Sequence, residues 1–370
     1  MTKTVFVAVL ALASAVGGQG AEPVSSRKTV VLEGNAARLV IDLGGGALSD
    51  FRLAGSELNP LSWGTPKAGD GAAHAFGHFL CLDRWGPPSE AEGARGMPYH
   101  GEASNVEWAL VQPPMEKNGA RETRISARLP KAGLSVTRIV RLSQANAAFQ
   151  VREEITNDRP LGRIFNVVQH PTIAPPFLDE STLVDCNGTK GFAQGGALPN
   201  PEEPSAEWPV AVTKAGERVN LRQLGSDPNP NVATFAIEEE YGWVTAASPA
   251  KGLLLGYVWK KSDYPWVSMW RDVREGKPAA RGLEFGTTGM HQPFPILVKK
   301  GRLWDRPLFE YIDAGETMAK SYQGFLLTIP ADFSGVASME VKPDRLILRE
   351  SKAQKAGREF MVSLNGLSEP

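Results

Sequence analysis

Cysteine is nearly absent from the 370 residues: Cys81 and Cys186 are the only two. That excludes a disulfide-dense scaffold and leaves either one bridge or two buried free thiols. An excess of either charge is also missing. Lys plus Arg number 40 and Asp plus Glu 41, giving a formal net charge of −1, and no basic block occurs. This balance favours neither nucleic acid nor an anionic membrane as partner. Beyond the first twenty residues no stretch is long and apolar enough to cross a bilayer. A nucleophile elbow, a phosphate loop and a dinucleotide fingerprint are absent, which leaves serine hydrolase, kinase and nicotinamide dehydrogenase chemistry unsupported. There is no internal repeat of fixed period and no low-complexity tract.

What is present is ordinary soluble-protein composition, 42% apolar and 22% charged, with 38 glycines and 28 prolines. So many breaks suit short strands and turns better than long helices. Lys3, the apolar run Val5 to Val16 and the small residues up to Gly20 or Ala21 read as a secretory signal peptide over residues 1–20. No cysteine follows, so a lipid anchor is not expected. The expectation is a mature chain from residue 21 in the periplasm or the medium. Asn187-Gly-Thr189 fits the glycosylation pattern, which arises often by chance.

The length allows about two domains, but the pattern favours one. Residues 29–43 give two β-rich runs split by a Gly-Asn turn. Further strand candidates are 134–143, 148–156, 232–238, 252–260 and 322–329, and no amphipathic helix exceeds about three turns. Val136, Ile139 and Val140 mixed with Arg138 and Arg141 suit a half-buried antiparallel strand. Residues 62–98 and 187–231 read as long excursions from the sheets, and the tail from about 345 as a strand with a loose end. The predicted fold is all-β, a large antiparallel β-sandwich forming a single domain over 21–370.

Only five histidines are available for chemistry. The run Ile164 to Val168 stops at Gln169-His170-Pro171, before a proline-broken loop closing on Phe177 and Leu178. Loops at strand ends, held by a rigid sheet, often carry function; a buried turn histidine is the alternative. His74 and His78 have a metal-ligand spacing, yet Gly77 lies between them and no HExxH glutamate accompanies them, so no metal site is expected. His100, followed by Gly101, and His291 in TTGMHQPF are each a ligand-facing or a packed histidine. Glu284, in RGLEFGTTG, ends an apolar strand. Desolvation there raises a carboxyl pKa and suits it to act as a base; pairing with Arg281 or Arg271 is the structural alternative.

The order of these pieces resembles the galactose mutarotase-like superfamily, which includes aldose 1-epimerases and hexose-6-phosphate mutarotases. VLEGNAARLVIDLGGGALSDFRLAGSELNPLSW is similar to its first strands. GHFLCLDRWGPPS and YHGEASNVEW resemble its Gly-Pro loop and its later His-Gly and Trp. QHPTIAPPFL occupies the place of its second active-site histidine, GLEFGTT that of its catalytic glutamate, and YIDAGETMAKSYQGFLL that of its closing strand pair. The likeness spans most of residues 29–330.

That resemblance implies a supersandwich with a sugar cleft, His170 as acid, Glu284 as base and His100 as a hydroxyl ligand, with no cofactor. It places His291 and Gln169 among the sugar contacts and makes Arg84 the cation available to an anionic group. Where relatives carry an arginine after His-Gly, this chain has Glu102-Ala-Ser104, which disfavours a phosphorylated substrate. Trp85, Trp266 and Trp270 are candidates to pack on a pyranose face, or into the core. The implied function is anomer interconversion of a sugar, a free aldose or an oligosaccharide end. The alternatives are a non-catalytic sugar-binding protein on the same fold and an accessory-type protein of polysaccharide degradation.

Overall fold

The computed structural model describes residues 27–66, 72–195, 205–213, 215–351 and 357–368. The expected signal segment, 1–20, lies outside them. The two runs at 29–43 form the hairpin strands Thr29–Glu33 and Ala37–Asp42. The runs at 134 and 148 form Leu134–Ser143 and Ala148–Asn157, also an antiparallel hairpin. Among the described residues the α-helices are short, Glu90–Ala94 and Phe294–Lys300.

Three antiparallel sheets are layered. The largest has thirteen strands, and its middle runs in the spatial order His78–Asp83, Arg163–Ile173, Lys277–Gly286, Trp266–Arg274, Val232–Ile237. An eight-stranded sheet packs against it, with Tyr241–Ser248, Leu253–Lys260, Thr317–Thr328 and Ala148–Asn157 adjacent at its centre. Alternation of side chains along each strand decides which layer a residue enters. Leu80, Leu82, Phe165, Val167, Leu283 and Phe285 from the large sheet meet Phe149, Val151, Leu255, Tyr257 and Leu326 from the smaller one. Each such buried side chain contributes about 1.5–3 kcal/mol relative to its exposed state. On the opposite face of the eight-stranded sheet, Trp243, Leu254, Val258 and Phe325 pack with Val336, Met339, Leu346 and Val362. Those last four belong to a three-stranded sheet, Val336–Lys342, Arg345–Glu350 and Glu359–Ser363.

Three expectations need correction. Residues 62–98 are not only an excursion, since His78–Asp83 is a fully buried strand within the large sheet. Residues 187–231 extend that sheet at its edge through Gly188–Ala193, Ala206–Glu207, Val210–Val212 and Arg218–Asn220. The strand expected to stop at Val168 runs on to Ile173. Gln169 pairs with Phe285 and Thr172 with Gly282, while Pro171, with no N–H to donate, falls in the gap between them. Cys81 and Cys186 are both buried and unbridged.

Candidate active site

The strands Arg163–Ile173 and Lys277–Gly286 are neighbours. The register that pairs Gln169 with Phe285 and Ile173 with Arg281 sets His170 against Glu284 on the outer face of the large sheet. Their side chains meet there, His170 Nε2 lying 3.3 Å from Glu284 Oε1. The carboxyl's other oxygen accepts the Trp85 indole N–H at 2.6 Å. Neither Arg281 nor Arg271 pairs with Glu284, because both guanidinium groups donate to backbone carbonyls of residues 221–222 and 227–229. A methyl group at Gly282 would stand 2.8 Å from Glu284 Oε1, so glycine leaves the room this carboxyl occupies.

The imidazole of His170 stacks on Phe79, with ring centroids 4.2 Å apart, and meets Trp270 edge-on at 6.0 Å. Its Nδ1 lies 2.9 Å from Thr172 Oγ1. His100 enters from a loop with φ +65°, an uncommon conformation for a side-chain-bearing residue. The next residue, Gly101, has φ +78°, and a Cβ on it would lie 2.0 Å from the Leu82 carbonyl. Only glycine permits that approach. Gly86 N–H donates to His100 Nδ1 at 3.1 Å, which leaves the ring's proton on Nε2. His291 Nε2 lies 2.9 Å from the Tyr99 hydroxyl. The rings of His100, His170 and His291 gather closely, with His100 5.5 Å from His170 and 5.7 Å from His291.

Burial dominates the electrostatics. It pushes Glu284 up to about 8 against the opposing pull of the Trp85 hydrogen bond. It pushes His170 down to about 3 and His291 down to about 4. His100 is held well below the ordinary histidine value by burial and then by His170 and His291. All four groups are driven towards their neutral forms.

These residues line a cavity of about 930 Å³ together with the aromatic side chains of Trp63, Phe79, Trp85, Tyr99 and Trp270, of which Tyr99 is exposed at the surface. Gln194, Thr213, Glu217, Asp227, Asn229 and Asn231 stand on its outer part. Among the described lining residues none is Lys or Arg. Of the residues singled out from sequence, Trp85, His100, His170, Trp270, Glu284 and His291 share this cavity.

Gln169 and Arg84 do not. Gln169, one residue from His170, faces the opposite way into the inter-sheet core. There its amide nitrogen donates to Glu153 at 2.7 Å and to Tyr264 at 3.1 Å, and its oxygen lies 3.3 Å from His78 Nε2. Arg84 is buried, its guanidinium committed to Asp83 and Glu92. His78 is fully buried behind the sheet, while the His74 ring bonds the Ala72 carbonyl outside it. Trp266 packs against Trp304 beside the helix Phe294–Lys300, away from the cavity. Sequence reasoning singled out Trp85 only as a stacking surface and passed over Trp63, Tyr99 and Thr172. A tyrosine directly before His100 was the one available signal.

No protein-family model and no curated protein matches the sequence. Solved structures do match. A galactose mutarotase-like protein of Clostridium acetobutylicum is similar at 11% identity and TM-score 0.58, over 84% of this chain and 98% of that one. A galactose mutarotase related enzyme of Lactobacillus acidophilus is similar at 12% identity and TM-score 0.57, over 82% and 98%. A candidate aldose 1-epimerase of Escherichia coli K12 is similar at 13% identity and TM-score 0.56, over 82% and 100%. At such identities the likeness speaks for architecture alone, and on that ground the chain has the galactose mutarotase-like fold.

Proposed function

We propose that this protein interconverts the anomers of a sugar, by acid–base chemistry shared between His170 and Glu284. The observation that carries the reading is their contact at 3.3 Å inside a cavity walled by Trp63, Phe79 and Trp270. Opening a hemiacetal ring needs one group to take the proton from O1 and another to give one to the ring oxygen. Closing it on the other face of C1 reverses both transfers. A buried imidazole beside a buried carboxyl can hold and pass the one proton this requires, without metal or organic cofactor. The indole faces suit the apolar face of a pyranose, and His100 Nε2–H is a donor for a hydroxyl.

The substrate we infer is uncharged, a free aldose or an oligosaccharide end. Glu217 and Asp227 on the outer part of the cavity repel a phosphate, and Arg84 is already ion-paired. A hexose of twelve heavy atoms fills about 200 Å³ at protein-like packing, so the cavity has space for more than one ring. Export to the periplasm or medium is part of the same proposal, and N-terminal sequencing of the protein from its native host should find a start near Ala21.

Replacing Glu284 by Gln keeps the shape of the side chain and removes the titrating group. Anomer interconversion, followed by polarimetry or NMR saturation transfer over a panel of aldoses, should fall about 10²-fold or more. His170→Asn should act likewise, and the double variant should be little worse than either single one. Sugar affinity should change far less. If the wild-type protein accelerates no aldose and yet binds one, a sugar-binding role replaces this reading.

A further inference from the structure

Thr172 is fully buried and does not line the cavity, so it touches no bound sugar. It sits two residues along the strand from His170, on the same face. Its hydroxyl has one proton and two contacts. One is the His170 carbonyl oxygen at 3.3 Å, which can only accept; the other is His170 Nδ1 at 2.9 Å. With the hydroxyl proton given to the carbonyl, the hydroxyl oxygen accepts from Nδ1–H. The other ring nitrogen, Nε2, is then bare and points at Glu284 Oε1. A bare nitrogen 3.3 Å from a carboxyl oxygen is a stable contact only if that carboxyl carries the proton.

We propose that Thr172 is a positioning residue that fixes His170 as its Nδ1–H tautomer, so that the transferable proton of the pair rests on Glu284. This reverses the starting order that the family resemblance implies. Burial drives both groups the same way, Glu284 to about 8 and His170 to about 3. The other titratable groups around the pair are His78, Cys81, Tyr99, His100 and His291. None is a cation at neutral pH that would hold Glu284 ionised.

The consequence for turnover rests on the mutarotase reading; the placement of the proton does not. During ring opening Glu284 O–H gives its proton to the ring oxygen as the bond from C1 to that oxygen breaks and its electron pair moves to the oxygen. His170 Nε2 takes the proton of the O1 hydroxyl as C1=O1 forms. The pair passes through carboxylate and imidazolium. On closure the imidazolium returns its proton to O1, the carboxylate recovers the ring hydroxyl's proton, and the starting state is restored.

The test begins with the unsubstituted protein, so it does not depend on any variant folding. Nitrogen-15 NMR of His170 at pH 7 should show a protonated Nδ1 and a bare Nε2. The infrared spectrum should contain a protonated carboxyl band that Glu284→Gln removes. Thr172→Val, which keeps the branch and loses the hydroxyl, should mix the two tautomers and lower kcat about tenfold with KM within twofold. It should also shift the pH–rate profile. Thr172→Ser should restore the tautomer and a rate within twofold of wild type. A proton on Nε2 of the resting protein, or a valine variant with unchanged tautomer and rate, overturns the proposal. The stated tautomer in a protein that turns over no aldose upholds the proton placement and removes the mutarotase reading.

Discussion

At the scale of the residue, Glu284 sets burial against charge. Between the ordinary glutamate value of 4.5 and about 8 the folded chain keeps a proton that the unfolded chain has lost. Stability from this group is therefore complete below pH 4.5 and falls as pH rises towards 8. His170 acts in the other sense, because the unfolded chain binds a proton below 6.5 that the folded chain refuses until about 3. Its contribution is lost as pH falls through that window. Glu284→Gln should consequently gain stability over wild type as pH rises from 4.5 to about 8, by a few kcal/mol at roughly 1.4 kcal/mol per pKa unit, and hold a constant lead above that. Urea unfolding at a series of pH values measures the difference, and a gap that stays constant from pH 4.5 to about 8 would contradict it. The local pattern marked both residues only as candidates, His170 before a proline at the end of an apolar run and Glu284 two residues before a glycine, and it was the family resemblance that paired them. Trp85 and Thr172 were not legible in these roles. An indole reads as packing and a threonine as strand former until its partner's position is known, and Trp85 meets its partner 199 residues away.

At the scale of the element, strand Lys277–Gly286 depends on a glycine for the placement of its carboxyl. A Cβ at Gly282 would approach Glu284 Oε1 to 2.8 Å and Trp270 Cβ to 3.0 Å. That oxygen is the one facing His170. Gly282→Ala should leave the far-ultraviolet dichroism unchanged and cost about 1–3 kcal/mol in overpacking. It should also lower the interconversion rate by at least tenfold, as the carboxyl is pushed off the imidazole. Full activity in this variant would show that the contact is not needed. The paired strands at 134 and 148 were visible because long periodic runs dictate one buried face. The continuation of Arg163–Ile173 through Pro171 was not, since proline normally ends a central strand. Here the ladder to Lys277–Gly286 skips His170 and Pro171, while on the strand's other side Pro171 still pairs with His78.

At the scale of the whole molecule, the two large sheets are joined by a buried polar network as well as by apolar packing. Arg138 donates to Glu153 at 2.6 Å with both side chains fully buried, and Glu153 accepts from Gln169 directly behind His170. Arg138→Met should destabilise the protein by about 3–5 kcal/mol, because it strands the Glu153 charge in the core. Thermal unfolding measures this, and replacing Glu153 by Gln in addition should recover part of the loss. The sandwich was legible from strand alternation, whereas the three-stranded sheet after residue 335 was not. Its charged strands signal only a solvent-facing side, and what covers Trp243 and Phe325 is set by distant sequence. The layers run from that small sheet through the eight-stranded sheet to the thirteen-stranded one, from whose far face the cavity opens. A chain fixed to a solid support through its C-terminal sheet would therefore turn its cavity towards the solution. Immobilisation by that end is the arrangement in which large ligands, including the long saccharides of the proposed function, would still reach the cavity.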